Sequence, residues 1–282
     1  MATNFKMYIA IILQFMGASV TGAIAGTDVS TFPHFRHVDL AAVAPQDLTT
    51  VPIRLLADQD FAPFSFVQRD GKIAGISVEL ALSACSEMKL NCEIVAKPYP
   101  ELMSSLISGE GEALISGMRL TPEILKSVSM TRPYFFSFGR FVTRNGTPFA
   151  NADIRTMAGR RIGYVKATGH AAFLEKYYNR SALTPFDTEA AMFESLRSGG
   201  LDAAFGDALH VSFWLKGSAA RGCCQVLDGG FVDRSSFSRG LSFLVKADQP
   251  ALREAFDFAL DRLEDKGVSA KIFANYLPES PF

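Results

Sequence analysis

Short apolar runs alternate with amphipathic stretches along most of the chain, and together they predict alternating strands and helices. The run 53–57 has the length of a buried strand, and apolar residues recur at helical spacing from Ile76 onward. A second alternation starts after the turn signal Asn145-Gly146. Repeated strand–helix–strand units predict an α/β fold with mostly parallel sheets and helices on both faces. The predicted strands are 53–57, 93–96, 113–116, 138–143, 161–165, 183–186, 203–206 and 241–245, and the predicted helices are 76–88, 99–108, 122–128, 170–178, 189–198, 208–215 and 251–266.

Composition places the chain among globular proteins. It has 282 residues, of which 48% are hydrophobic and 20% charged, enough for two lobes of ~100 residues each. The formal net charge is −1, so bulk electrostatics give no reason to expect a nucleic-acid partner.

The amino terminus has the features of a secretory signal. Lys6 precedes the apolar run 7–23, which ends in Ala23-Ile24-Ala25. This pattern predicts a signal peptide over residues 1–25, cut after Ala25, and therefore a periplasmic protein. The alternative is a retained membrane anchor, although the run is shorter than the ~20 apolar residues that a span needs. Residues 26–50 show no clear period and are interpreted as a leader segment.

The four cysteines fit an oxidising compartment. Cys85 lies late in the first predicted helix and Cys92 begins the next strand, a corner that can bring two Cα atoms within bridging distance. The alternative is two buried thiols. Cys223 and Cys224 are adjacent and are expected to be thiols. The four histidines show no ligand spacing with these cysteines, so no metal site and no cofactor are predicted.

The stretch after the first strand carries a motif. Asp58 ends the strand, an aromatic and proline loop follows, and Asp70-Gly71 and Gly75 precede the helix. This pattern resembles that of the bacterial extracellular solute-binding proteins of family 3, the periplasmic amino-acid-binding components of ABC importers. The resemblance continues to about Pro278, with one departure at Ser77, where the family usually has an acid. The matching residues are Asp58, Phe61, Pro63, Phe64, Phe66, Asp70, Gly71, Gly75, Ile76, Val78, Glu79 and Leu80.

The resemblance implies a two-lobed periplasmic-binding-protein fold. Each lobe would be a sheet flanked by helices, and two crossing segments would join them around a ligand cleft that closes by hinge motion. The first lobe would comprise residues 51–143 and a return over 236–282, and the second lobe residues 144–235. The crossings are predicted near 141–147 and 232–239.

In the first lobe the resemblance assigns three ligand contacts to strand ends and helix starts. Asp58 would meet an amine or a basic side chain, and Phe61 and Tyr99 would form aromatic walls. The alternatives are a turn-capping aspartate and packed rings.

The loop 116–123 carries a further departure from the family. The resemblance places ligand contacts at Ser116 and Gly117, but Ile124 stands where the family keeps an arginine that clamps the ligand carboxylate. Arg119, on the same loop, is predicted to replace that clamp, and its alternative is a surface charge.

In the second lobe the resemblance assigns the two ends of an amino acid. Thr168 and Gly169 join a strand to a helix, where free backbone N–H groups favour an anion such as a carboxylate. Asp207, at a strand end, would bind the ammonium. The alternative for Thr168 and Asp207 is helix capping.

These residues predict a non-catalytic, monomeric periplasmic protein that delivers a polar or basic amino acid to an inner-membrane ABC permease. One alternative is an enzyme on the same scaffold, similar to the periplasmic cyclohexadienyl dehydratases. Catalysis needs a general acid in the cleft, for which only Glu175 and Lys166 are nearby candidates. Another is a sensor or accessory protein for a ligand that is not an amino acid.

Overall fold

The computed structural model of the protein describes residues 35–39, 52–118, 120–237 and 240–277. Within these ranges no helix combines the length and the apolar character needed to cross a membrane. The predicted signal peptide and Arg119 lie outside the described residues.

The first lobe is built on a five-stranded mixed sheet. Two of its strand pairs are parallel and involve the first strand of the chain, and the other two are antiparallel and involve the strand that returns late in the chain. The strand order is β5 (Cys92–Lys97), β1 (Ile53–Asp58), β6 (Ala113–Leu114), β13 (Leu244–Lys246) and β7 (Val128–Met130).

Helices cover both faces of this sheet and thereby bury β1 on both sides. Leu55 faces α1, α6 and α7, and Leu56 faces α2 on the opposite side, as the alternation of side chains along a strand requires. A small sheet of β2, β3 and β4 follows β1. The bounds are α1 Ile76–Glu87, α2 Tyr99–Ser108, α6 Pro250–Asp265, α7 Val268–Tyr276, β2 Asp60–Phe61, β3 Ser65–Val67 and β4 Ile73–Ala74.

The second lobe repeats this plan. Its sheet has the order β10, β9, β11, β8, β12, with β9 parallel to β10 and β11, and β8 antiparallel to β11 and β12. Phe141 and Phe205 pack on α3, whereas Val142 and Ala204 pack on α4 and α5. The bounds are β8 Gly139–Arg144, β9 Arg161–Val165, α3 Gly169–Tyr177, β10 Ala182–Phe186, α4 Glu189–Arg197, β11 Ala203–Asp207, α5 Ala208–Lys216 and β12 Cys224–Val226.

Two crossing segments run side by side between the lobes. Phe135 bridges to Leu241 and Gly139 bridges to Phe231. The chain therefore enters the second lobe before β8, because β8 pairs with β11 and β12, and not near 141–147 as predicted. We call residues 131–138 the first crossing and residues 231–243 the second crossing. Both sheets are mixed, and not mostly parallel, because each crossing delivers a strand that runs against its neighbours.

One predicted helix is wrong. The segment 122–128 forms only a short 3₁₀ helix, Ile124–Lys126, and then enters β7. The strand pairing explains the difference, because β13 returns from the far end of the chain to pair with β7, a partner that the local sequence pattern does not reveal.

Both cysteine pairs form disulfides. Cys85 and Cys92 are bridged with their Cα atoms 6.3 Å apart, which confirms the predicted bond. Cys223 and Cys224 are also bridged, so the expectation of thiols there is wrong. This pair follows a turn in which Arg221 and Gly222 have positive φ, so the backbone before it does not follow regular strand geometry.

Candidate functional site

A cavity of about 250 Å³ opens between the two lobes. We call it the cleft cavity. Its walls combine aromatic and aliphatic groups of the first lobe with the end of β11 and the start of α5 in the second. The lining residues are Phe61, Phe64, Phe135, Ser137, Asp207, Leu209, His210, Gly240 and Leu241.

Phe61 is placed in the cavity by the small sheet after β1. Its ring stacks on Phe64, with centroids 5.2 Å apart and planes inclined by 25°. A Cβ atom on Gly117 would lie 3.0 Å from the Phe61 ring, so the absence of a side chain at Gly117 lets the ring settle against the loop. The structure thus brings together Phe61 and Gly117, both predicted from the sequence.

Asp207 has two roles in the structure. Its Oδ1 accepts a hydrogen bond from the backbone N–H of Leu209, 2.9 Å away, and so caps α5. Its Oδ2 accepts a hydrogen bond from the Ser137 hydroxyl, and both residues line the cavity. Capping and exposure to the cavity therefore coexist at Asp207. Ser137, on the first crossing, was not predicted.

Two histidines accompany Asp207. Nδ1 of His210 lies 3.0 Å from both carboxylate oxygens of Glu189. This hydrogen bond raises the pKa of His210, and the negative charges of Asp207 and Glu189 add to the effect. His170 stacks on Phe237 with centroids 4.4 Å apart, and burial lowers its pKa. Neither histidine carries a sequence signal, because their partners lie on other elements.

Asp58 and Ser116 are hydrogen-bonded to each other and to neighbouring residues of the first lobe. Oδ1 of Asp58 accepts a hydrogen bond from the N–H of Asp60 at 3.0 Å, and the N–H of Asp58 donates to Oγ of Ser116 at 2.7 Å. Oγ of Ser116 also lies 2.8 Å from Oγ of Ser65. Asp58 is only 5% exposed and does not line the cleft cavity. Its position therefore matches the alternative of a turn-capping aspartate.

Two residues of the predicted site, Tyr99 and Arg119, and the departure from the family at Ile124 lie away from the cavity or outside the described residues. Tyr99 begins α2, is 44% exposed and does not line the cleft cavity. Ile124 packs against the cluster that contains Leu102 and Leu106, inside the first lobe. Arg119 lies outside the described residues, between Met118 and Leu120, which pack on the same cluster.

Thr168 caps α3. Its hydroxyl oxygen accepts a hydrogen bond from the N–H of Ala171 at 3.1 Å, and the hydroxyl donates to the carbonyl oxygen of Val165 at 2.7 Å. The next residue, Gly169, lies against the backbone of Ser236 in the second crossing. The helix start that was predicted to bind a carboxylate is therefore in contact with the second crossing.

A larger cavity, of about 720 Å³, lies on the second lobe beside Ile154, Tyr177 and Val232. It contains none of the residues predicted for the site, whereas the cleft cavity contains two of them, Phe61 and Asp207. We therefore take the cleft cavity as the candidate site. Among the described residues, no three histidine, cysteine, aspartate or glutamate side chains are grouped to hold a metal ion.

The chain is similar in sequence to known proteins. A sequence model of the bacterial extracellular solute-binding proteins, family 3, matches residues 53–279. The ABC transporter arginine-binding protein 1 of Escherichia coli (strain K12) is 29% identical over 219 residues, which cover 78% of this chain and 88% of that protein. The L-arginine-binding protein of Pseudomonas aeruginosa is 27% identical over 233 residues, 80% of this chain and 87% of that protein.

A solved structure with a similar fold is that of an ancestral cyclohexadienyl dehydratase. The match covers 80% of this chain and 92% of that one, with a TM-score of 0.62 at 17% identity. Identity this low shows the fold alone. Together these findings confirm the family resemblance and the two-lobed fold predicted from the sequence.

Proposed function

The chain belongs to the bacterial extracellular solute-binding proteins of family 3, and we propose that it binds an amino acid with a basic or polar side chain in the cleft cavity and delivers it to an ABC permease of the inner membrane. The observation that carries the proposal is that Phe61 of the first lobe and Asp207 of the second line one cavity. A ligand that contacts both would hold the lobes together.

The chemistry of the cavity favours a cation. Asp207 supplies a carboxylate, and Ser137 supplies a hydroxyl beside it. Phe61, Phe64 and Phe135 supply ring faces, which attract ammonium and guanidinium groups. Since two similar proteins are arginine-binding by name, L-arginine is the first ligand to test.

A thermal-shift titration tests the proposal. L-arginine, L-lysine and L-histidine are compared with L-glutamate, which has the opposite side-chain charge. A ligand at about 100 times its Kd adds about 2.7 kcal/mol to the free energy of unfolding. We expect at least one cationic amino acid to raise the Tm and L-glutamate to leave it unchanged. A rise with L-glutamate alone would contradict the proposal.

The proposal assigns binding, and not catalysis, to this cleft. Oε1 of Glu175 accepts a hydrogen bond from the Tyr164 hydroxyl at 3.3 Å, and Lys166 pairs with Asp187. Neither Glu175 nor Lys166, the two residues that the sequence offered as candidates for a general acid, lines the cleft cavity.

The proposal includes export to the periplasm. Its basis is the amino-terminal pattern of Lys6, an apolar run and Ala23-Ile24-Ala25. Mass spectrometry of the exported protein is expected to find an amino terminus at or near Gly26.

A further inference from the structure

A segment that precedes the family domain packs against Phe135, which lines the cleft cavity. The family match begins at residue 53, but residues 35–39 are described and pack on the first lobe. We call residues 35–39 the docked segment. The docked segment lies outside the range of the family match.

Arg36 anchors the docked segment by buried ion pairs. Its Nε lies 2.8 Å from Oδ1 of Asp261, and its Nη2 lies 2.8 Å from Oδ1 of Asp257. The side chains of Arg36 and Asp261 are 2% and 1% exposed, and that of Asp257 is 11% exposed. Asp261 also pairs with Arg132, and Asp257 with Arg253, so removal of Arg36 would take one of the cationic partners from each of these buried acids of α6.

The docked segment also reaches the start of the first crossing. Nη1 of Arg36 donates to the carbonyl oxygen of Arg132, and the Arg132 side chain donates to the carbonyl oxygen of His37 at 2.9 Å. The N–H of Arg132 donates to Oδ1 of Asp257 at 2.8 Å. Arg36 and Asp257 together therefore hold the first crossing against α6.

A row of rings connects the docked segment to the cleft cavity. The ring centroids of Phe35 and Phe135 are 5.3 Å apart, those of Phe135 and Phe64 are 4.9 Å apart, and those of Phe64 and Phe61 are 5.2 Å apart. The last three rings line the cleft cavity. Because protein interiors are close-packed, the position of each ring depends on the next.

We propose that Phe35 and Arg36 are positioning residues of the ligand site, which hold Phe135 and the first crossing in the arrangement that the cavity requires. The inference rests on the proposed function, because it assigns the rings a ligand. The proposal extends to the second crossing, because two backbone hydrogen bonds join the crossings. The N–H of Tyr134 donates to the carbonyl oxygen of Leu241, and the N–H of Leu241 donates to the carbonyl oxygen of Phe135, each at 2.8 Å.

The test compares Phe35→Ala with Leu102→Ala. Phe35→Ala removes the first ring of the row and leaves the Arg36 ion pairs intact. Leu102→Ala is the matched control, because Leu102 is fully buried in the same lobe but belongs to a different cluster, which contains none of the four rings. The two readouts are hydrogen exchange at the amides of Tyr134 and Leu241 without ligand, compared after correction for the global stability of each variant, and the Kd for L-arginine.

We expect Phe35→Ala, and not Leu102→Ala, to speed exchange at both amides. We also expect Phe35→Ala to raise the Kd for L-arginine by about three- to thirtyfold, the range of coupling that packed networks carry. Leu102→Ala is the control for exchange alone, because Leu102 packs with Met118 and Leu120 on either side of Arg119. Phe35→Leu keeps an apolar group in place and should change both readouts less, in the same direction.

The exchange readout decides the inference even if L-arginine does not bind the wild type, in which case only the choice of ligand under the proposed function fails. Equal exchange at Tyr134 and Leu241 in the Phe35→Ala and Leu102→Ala variants would overturn the inference. So would an unchanged Kd in a Phe35→Ala protein whose wild type binds L-arginine.

Discussion

Gly169 touches the backbone of Ser236 so closely that a Cβ atom on Gly169 would overlap the carbonyl oxygen of Ser236. This contact joins the start of α3 to the second crossing, and the stacking of His170 on Phe237 extends it. Gly169 does not have a positive φ, so it is the close approach of Ser236 that requires glycine here.

Substitution of Gly169 tests this contact. We expect Gly169→Ala to lower the free energy of unfolding by about 1–3 kcal/mol, because the added methyl group must displace the backbone of the second crossing. Urea denaturation measures the change. Gly206→Ala in the same lobe is the control, since a Cβ at Gly206 would meet its nearest neighbour at 3.9 Å and needs no displacement. Equal stability of the two variants would show that the contact is not close in solution.

The buried strands and most helices could be predicted because their signals are local. The run 53–57 is apolar throughout, and the structure gives β1 over Ile53–Asp58. The strands β7 and β12 could not be predicted in this way. Each is three residues long and is defined by its partner, β13 for β7 and β8 for β12, rather than by a pattern of its own.

The residues of the candidate site also differ in whether a local sequence signal predicts them. Phe61 lies just after β1 and Asp207 is the last residue of β11. Both were assigned to the site by the family resemblance, and both line the cavity. Ser137 and His210 have no motif, because Ser137 enters the site through its hydrogen bond to Asp207 and His210 through its place on the first turn of α5. The docked segment was interpreted as a leader without a period, since ion pairs to residues more than 200 positions away leave no local trace.

The charge of Asp207 can be separated from its capping role. Asp207→Asn keeps a side-chain oxygen that can cap α5 but removes the negative charge, whereas Asp207→Ala removes both. We expect both variants to weaken binding of a cationic amino acid by about 2–4 kcal/mol, because the ligand ammonium loses its buried counter-charge. Only Asp207→Ala should also lose about 1 kcal/mol of stability.

Isothermal titration calorimetry and urea denaturation measure the two effects of the Asp207 variants. If Asp207→Asn binds the ligand of the wild type within a factor of a few, then Asp207 does not hold the ammonium.

The disulfide between Cys85 and Cys92 joins the end of α1 to the start of β5. The double variant Cys85→Ser/Cys92→Ser is expected to lose ~2 kcal/mol of stability, at the low end for a disulfide because the closed loop is short. Denaturant titration measures the loss. Alkylation of denatured, unreduced wild-type protein should leave all four cysteines unlabelled, since Cys223 and Cys224 are bridged as well. Labelling of either pair would contradict its bridge.

The pair of His210 and Glu189 predicts a pH dependence. The pKa of His210 is raised, so the stability that the pair contributes is fully present below the unfolded value of about 6.5 and is lost as the pH rises through the folded value. NMR titration of the His210 ring should therefore give a pKa above 6.5, and Glu189→Gln should lower it.

The same titration should affect the ligand. His210 lines the cleft cavity together with Asp207, so a protonated His210 repels a cationic ligand. We expect affinity for a cationic amino acid to fall as the pH drops through the pKa of His210, with the half-buried His170 remaining neutral in that range because its pKa is lowered. In Glu189→Gln the fall should move to lower pH. Affinity that does not change with pH would show that His210 does not face the ligand.

Ile124 offers no hydrogen-bonding partner for a ligand carboxylate. Its side chain packs against the cluster of Leu102 and Leu106, so this position supplies only an apolar contact inside the first lobe. The hydroxyl of Thr168 is occupied by Ala171 and Val165. None of the described residues that line the cleft cavity is an arginine or a lysine.

Arg119 remains the predicted carboxylate clamp, on the loop that carries Gly117 beneath Phe61. A guanidinium binds a carboxylate through two parallel N–H donors, which a lysine ammonium does not reproduce. We therefore expect Arg119→Lys to weaken L-arginine binding by about 1–2 kcal/mol and Arg119→Ala to weaken it further.

Agmatine, which is L-arginine without its carboxylate, is the matched ligand for this test. It should bind the wild type far more weakly than L-arginine does, and Arg119→Ala should leave the affinity for agmatine unchanged. Calorimetry with both ligands measures this. If agmatine binds the wild type as tightly as L-arginine does, no clamp exists at Arg119, and the apolar residue at Ile124 then means that the cleft selects an amine and not an amino acid.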